Sequence, residues 1–85
     1  MTGEPTLEGV QTIVARIAGR PTVDAGPDTP LTEGGFDLDS LHLFRAILAC
    51  EETFEVAFEP DSDFTAESLR TVRTLFDLIR SKRAG

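Results

Sequence analysis

Apolar residues recur at helical spacing near both ends of the chain. In each segment they fall at i, i+3, i+4 and i+7, the spacing that gathers side chains on one face of an α-helix. They are Val10, Ile13, Val14 and Ile17 in the first segment, and Val72, Leu75, Phe76 and Ile79 in the last. The pattern predicts a first helix over residues 6–20, begun at Thr6 and ended by Gly19 and Pro21. It predicts a last helix over about 71–82, capped by Thr71.

The middle of the chain predicts another long helix, over residues 40–54. Good helix formers occupy this segment, and neither Gly nor Pro interrupts it. One set of apolar residues forms a face that we expect to be buried: Leu43, Phe44, Ile47, Cys50 and Phe54. A second stripe at helical spacing would then face solvent: Leu41, Arg45, Leu48 and Glu52. We therefore expect two leucines, Leu41 and Leu48, to be exposed.

A long loop and one short helix complete the predicted fold. Residues 21–39 hold three of the five prolines and three of the seven glycines, which indicates a loop. Its apolar residues should fix it in an ordered conformation against the core: Val23, Leu31, Phe36 and Leu38. Residues 65–69 predict a short helical turn that begins at Thr65. The chain is therefore predicted to be all-α, a single domain over residues 1–85 with a four-helix core over about 6–82.

The charge is concentrated in the middle of the chain. The net charge is −7, and residues 24–67 carry 12 of the 15 acidic residues but only one basic residue, Arg45. Such a surface repels nucleic acid and anionic lipid and attracts basic protein surfaces. We therefore expect protein partners, no nucleic acid, no membrane and a monomeric chain. No apolar run could span a bilayer, the N-terminus lacks the pattern of a signal peptide, and a lone cysteine fits a reducing compartment, so the sequence predicts a cytoplasmic protein.

Most candidate chemistry can be set aside from the sequence. One cysteine and one histidine cannot build a structural zinc site. Residues 61–72 begin like a calcium loop but lack its glycine and final glutamate. His42 lacks a nucleophile in reach, because Ser40 lies two positions away on the same helix. Cys50 falls on the predicted buried face, where a thiol is inert. We therefore expect no catalytic residues and no metal.

Ser40 is the strongest candidate for chemistry, with two interpretations open. A serine at a helix start is often an N-cap. Asp39, directly before it, could also cap the helix, and Leu41 directly after it is expected to be exposed. A hydroxyl at a helix N-terminus is well placed to carry a phosphodiester, because the free N–H groups and the helix dipole favour an anion there. The second interpretation is therefore covalent modification.

The segment "DLDSLHLFRAILACEETF" resembles the second helix of acyl carrier and peptidyl carrier proteins. The following segment "FEVAFEPDSDFTAESLRTVRTLFDLI" is also similar to theirs, as is the loop "LTEGGFDLDS", so the resemblance spans roughly residues 6–82. It implies a four-helix carrier fold in which a phosphopantetheinyl transferase attaches 4′-phosphopantetheine to Ser40, with Asp39 as the acid before it. Contacts to partner enzymes are implied at Leu41, Arg45, Leu48, Glu51 and Glu52.

The resemblance implies a non-catalytic carrier that holds an acyl or aminoacyl group as a thioester. Its partners would be an acyl- or aminoacyl-loading enzyme and downstream synthase, tailoring or transferase enzymes. His42 and Arg45 stand where carriers of primary fatty acid synthesis usually show acids, which favours a role in polyketide or nonribosomal peptide biosynthesis. Three alternatives remain open: a carrier of primary fatty acid synthesis, an acidic scaffold module without a prosthetic group, and a small enzyme.

Overall fold

The computed structural model describes residues 5–19, 26–32 and 34–84 and contains four helices in these ranges. They are α1 (Leu7–Ala18), α2 (Ser40–Phe54), α3 (Pro60–Asp63) and α4 (Val72–Ala84). Within the described ranges extended backbone pairs only in an isolated antiparallel bridge between Pro30 and Thr71. The all-α prediction is confirmed, and α2 has the bounds predicted for it.

The ends of α1 and α4 follow the capping residues in the sequence. The Thr6 hydroxyl accepts a hydrogen bond from the Gly9 N–H at 2.9 Å, which satisfies a free donor at the start of α1. Gly19 ends α1 in the left-handed conformation at φ 72°, where a glycine has no steric penalty. At the start of α4 the Thr71 hydroxyl accepts from the Thr74 N–H at 3.2 Å. The predicted starts of both helices and the role of Gly19 are thus confirmed.

The core lies where α1 packs against both α2 and α4. Its fully buried residues come from all three long helices and from the first loop. Three of the four loop residues predicted to anchor it are buried, namely Leu31, Phe36 and Leu38. The fourth, Val23, and Pro21 lie outside the described residues. The largest fully buried side chains are Leu31, Ile47, Leu75, Ile79, Val10, Val14, Val72 and Cys50.

Backbone hydrogen bonds fix the described part of the first loop to the start of α4. The Leu31 N–H donates to the Arg70 carbonyl at 3.0 Å, and the Leu38 N–H donates to the Leu31 carbonyl at 3.1 Å. The Phe36 N–H donates to the Pro30 carbonyl at 2.9 Å. Because buried backbone groups must find partners, these bonds hold the chain that leads into α2 in one conformation.

The short helical turn predicted at residues 65–69 is present as a single turn, closed by a hydrogen bond from the Leu69 N–H to the Thr65 carbonyl at 3.0 Å. The one-turn helix α3 over Pro60–Asp63, which precedes it, was not predicted. Thr65 does act as a cap, since its hydroxyl accepts from the Ser68 N–H at 3.0 Å, but the turn does not continue into a helix. A proline is well suited to the first helical position, because its missing N–H would have had no partner there.

An ion pair joins α3 to α4. The Asp63 carboxylate accepts from the Glu59 N–H at 2.7 Å and lies 2.7 Å from the Lys82 ammonium. The hydrogen bond from the Glu59 backbone, followed by that from Lys82, lowers the pKa of the Asp63 carboxyl. The same contact raises the pKa of Lys82. Both shifts favour the charged forms, so the pair holds α3 against the C-terminal half of α4.

The predicted burial of Phe44 is wrong, since its side chain is 49% exposed. The buried residues of α2 are Ala46, Ile47, Cys50 and Phe54. With 3.6 residues per turn, Phe44 points about 100° away from its half-buried neighbour Leu43, which lies over that buried face. Phe44 therefore lies on the solvent side of α2, next to Leu41 and Leu48.

Gly35 provides a test of how tightly the loop before α2 is packed. A Cβ at Gly35 would overlap the backbone of Pro30, and backbone cannot move aside as a side chain can. We expect Gly35→Ala to lower the free energy of unfolding by about 1–3 kcal/mol, the usual cost of overpacking, as measured by urea denaturation. Gly26→Ala is the matched control, since a Cβ there meets open space, and its stability should change little. Equal stabilities for the two variants would contradict the packing described here.

Candidate functional site

The N-terminus of α2 is capped by Asp39, not by Ser40. The Asp39 carboxylate accepts a hydrogen bond from the His42 N–H at 2.8 Å, and its carbonyl accepts from the Leu43 N–H at 2.8 Å. Asp39 has extended backbone angles, as an N-cap residue should. Ser40 is the first residue inside the helix, so its hydroxyl is not needed to satisfy the helix start.

Asp37, two residues before Asp39, closes the turn before α2. Asp37 has a left-handed backbone at φ 56°, a conformation that aspartate tolerates better than most residues. Its carboxylate accepts from the Gly34 N–H at 3.2 Å. The two aspartates therefore have separate roles: Asp37 shapes the turn, and Asp39 fixes the first residue of α2.

The Ser40 side chain is exposed at this helix start. With the residues that the structure describes, its hydroxyl forms no hydrogen bond. The first N–H groups of an α-helix have no partners within the helix, and the dipole is positive at this end. An anionic group attached to the Ser40 oxygen would therefore lie in a favourable field, at a position open to solvent.

His42 forms a second contact to Asp39. Its Nδ1 lies 2.7 Å from the same carboxylate oxygen that accepts the His42 N–H. The backbone hydrogen bond, and after it the imidazole contact, lowers the pKa of the Asp39 carboxyl. Serine, histidine and aspartate are thus neighbours here, but the described contacts place no hydrogen bond between Ser40 and His42. They do not form the relay that a nucleophilic serine requires.

An exposed apolar stripe continues from Ser40 along α2. Leu41 is 57% exposed, Phe44 49% and Leu48 42%, and these are the large hydrophobic residues that stand exposed among the described ones. Their i, i+3, i+7 spacing places them on one side of the helix. Leu41 and Leu48 were expected here. Phe44 was missed, although its spacing of three and four residues from the two leucines carried the signal.

The charged candidates on α2 divide into two kinds. Arg45 and Glu52 are exposed. Glu51 is only half-buried, and its carboxylate accepts a hydrogen bond from the Phe58 N–H at 2.9 Å. Glu51 therefore also holds the turn after α2 in place.

The Asp39–His42 contact was not predicted, although the i, i+3 spacing of an acid and a histidine indicates it.

Cys50 and the acidic residues offer no further site in the described ranges. Cys50 is fully buried in the core, as predicted, and loss of hydration raises the pKa of its thiol to about 12. Such a thiol stays protonated and unreactive. Across residues 5–19, 26–32 and 34–84, no three His, Cys, Asp or Glu side chains are grouped so that they could hold a metal ion.

Comparison with known proteins identifies the family. Residues 8–79 match the family described as "Phosphopantetheine attachment site". The chain is 34% identical over 79 residues to an acyl carrier protein of Acidothermus cellulolyticus, an alignment that covers 93% of this chain and 89% of that protein. It is 40% identical over 75 residues to an acyl carrier protein of Syntrophobacter fumaroxidans, covering 86% and 89% of the two chains.

The chain belongs to the phosphopantetheine-binding carrier protein family. Its cofactor is accordingly a covalently attached 4′-phosphopantetheine, and it works with a phosphopantetheinyl transferase and partner enzymes. Among the described helices, none combines the length and the apolar character that crossing a membrane requires.

The cap of α2 predicts how Asp39 titrates. We expect the Asp39 carboxyl carbon to titrate below the ordinary pKa of 3.8 in an NMR pH series, because hydrogen bonds from His42 stabilise its charged form. The folded-state pKa is lowered, so this contribution to stability is present above pH 3.8 and is lost as the pH falls through the lowered pKa.

His42→Ala separates the two causes. It removes the imidazole contact but keeps the backbone N–H, which is the larger cause. The Asp39 pKa of this variant should rise but stay below 3.8. A wild-type Asp39 that titrates at or above 3.8 would contradict the capping geometry.

Proposed function

We propose that Ser40 is the residue that carries 4′-phosphopantetheine. One observation carries this proposal: Asp39 caps α2, which leaves the exposed Ser40 hydroxyl at the helix N-terminus with no structural role among the described contacts. Attachment of the cofactor explains why a serine stands where capping does not need one. The other serines in the described ranges lie on α3, in the 66–69 turns and on α4.

The surroundings of Ser40 fit the group. The attached phosphodiester is an anion, and the N-terminal N–H groups and dipole of α2 stabilise negative charge there. His42 holds the Asp39 carboxylate through two contacts, which keeps this like charge directed towards the helix N–H groups. Exposure of Ser40 and Leu41 leaves room for a modifying enzyme.

The proposed function is that of a non-catalytic carrier of acyl groups. When bound, the phosphopantetheine supplies a thiol that holds the cargo as a thioester. The two relatives described above are named acyl carrier proteins, which favours an acyl over an aminoacyl cargo. The chain itself fixes the arm at one point and offers a surface beside that point, and an acyl-loading enzyme and downstream synthase, tailoring or transferase enzymes would act on the cargo.

The docking surface for these enzymes is proposed to be the exposed side of α2. It combines the apolar stripe of Leu41, Phe44 and Leu48 with charged residues at its edges. These are Arg45, Glu51 and Glu52. Aromatic and aliphatic residues of this kind supply contact energy, while peripheral charges speed the encounter and set specificity. Such encounters are fast and weak, as a shuttle requires.

We propose a role in polyketide or nonribosomal peptide biosynthesis, because His42 and Arg45 stand at positions of α2 where carriers of primary fatty acid synthesis usually show acids. The second candidate, a carrier of primary fatty acid synthesis, would also hold the acyl cargo that the relatives' name indicates. An acidic scaffold without a prosthetic group would leave the exposed Ser40 unexplained.

Modification in vitro tests the proposed attachment site. Incubation of the purified chain with coenzyme A, Mg²⁺ and a broad-specificity phosphopantetheinyl transferase should add one phosphopantetheine, read from the intact mass. We expect Ser40→Ala to abolish the addition completely, because the acceptor oxygen is gone.

Ser81→Ala is the matched control, since Ser81 is another exposed serine in a helix, and it should be modified like the wild type. Circular dichroism checks that both variants keep their helices. An unmodified wild type, or addition to Ser40→Ala, would refute the assignment.

A further inference from the structure

Arg45 is an exposed charged residue of α2 that neither helix stability nor the acidic surface explains. It is the single basic residue between residues 24 and 67, and it is exposed in the second turn of α2. It forms no ion pair or hydrogen bond with the residues that the structure describes. Because none of the described residues pairs with it, the Arg45 guanidinium is open to a partner outside the chain.

The neighbours of Arg45 on α2 confirm that it does not serve the helix. Ion pairs on a helix join residues three or four apart. At these distances from Arg45 stand Leu41, His42, Leu48 and Ala49, none of which is an acid. A basic residue this early in α2 also gains nothing from the helix dipole, which favours cations in the last turn.

The position of Arg45 ties it to the apolar stripe. It follows Leu41 by four residues and precedes Leu48 by three, so it lies on the same side of α2 as both exposed leucines. Any protein that covers Leu41, Phe44 and Leu48 also covers Arg45. A guanidinium removed from water without a partner is costly, and its forked donors match a carboxylate.

We propose that Arg45 pairs with a carboxylate on the enzyme that loads the acyl group, so that this enzyme combines an apolar docking surface with an acidic side chain. This rests on the proposed function. The charge pattern of the chain supports it. The acids elsewhere in residues 24–67 are complementary to basic groups on the partner, and the one arginine beside the stripe is complementary to a single acid. Enzymes whose docking surface is basic throughout would be rejected, because like charges would meet at Arg45.

Loading kinetics test this proposal. The holo-protein is made with a broad-specificity transferase, and the loading enzyme is purified from the native organism by following the mass that it adds to the holo-protein. Three holo-variants are then compared with the wild type: Arg45→Glu, Arg45→Lys and Arg16→Glu. Arg16→Glu is the matched control, because it makes the same charge change at an exposed position on α1.

We expect Arg45→Glu to raise the KM for the carrier about tenfold or more, with kcat changed less than about twofold, because docking and not chemistry is affected. The KM of Arg45→Lys should lie close to that of the wild type, and the KM of Arg16→Glu should equal it. Added salt should reduce the difference in KM between Arg45→Glu and the wild type.

An unchanged or lower KM for Arg45→Glu would overturn the proposal, since it would mean that the enzyme presents no acid there. An equal rise for Arg16→Glu would also overturn it, by showing that only net charge matters. If sedimentation showed that Arg45 instead joins two copies of the chain, the assignment to an enzyme would fail. A wild type that gains no arm would refute the proposed function and this inference together, and the mass spectrum reveals it before any kinetics.

Discussion

The hydrogen bond from the His42 N–H to the Asp39 carboxylate is the interaction on which the site depends. It fixes Ser40 as the first residue of α2, so the cap of the helix is supplied by Asp39 and the Ser40 hydroxyl is not needed for it. Because Asp39 caps the helix, Ser40 is left exposed at the positive end of the dipole.

The loop before α2 transmits this constraint to the rest of the fold. Its backbone is bonded to the segment that leads into α4, and Leu31, Phe36 and Leu38 bury their side chains in the core shared by α1, α2 and α4. The N-terminus of α2 is therefore held from two directions, by its own cap and by the loop. Because α2 is held in this way, the apolar stripe and its charged neighbours keep a constant geometry relative to Ser40. A surface that binds several partner enzymes in turn requires such a constant geometry.

Sequence periodicity was sufficient to predict the long helices, because in each of them the capping residues and the apolar face indicate the same bounds. The prediction from sequence failed where local patterns competed with contacts between distant residues. Thr65 caps a turn as expected, but α3 forms earlier, where Asp63 bonds the Glu59 backbone and pairs with Lys82 on a distant helix. Phe44 looked like core by residue type, yet small Ala46 occupies the buried side instead. The Asp39–His42 contact could have been predicted from the spacing of the two residues. The hydrogen bond from the Phe58 N–H to Glu51 could not, because it joins residues seven apart, of which Phe58 lies outside a regular helix.

The most direct test of the account is the chemical state of the protein in the organism that makes it. Intact-mass spectrometry of the chain from its native host, with fragmentation to locate any added group, reports on Ser40 without a chosen transferase. The account predicts a phosphopantetheine, free or acylated, confined to Ser40, since that is the exposed hydroxyl at the start of α2. A chain found wholly unmodified, or modified at a different residue, would contradict it.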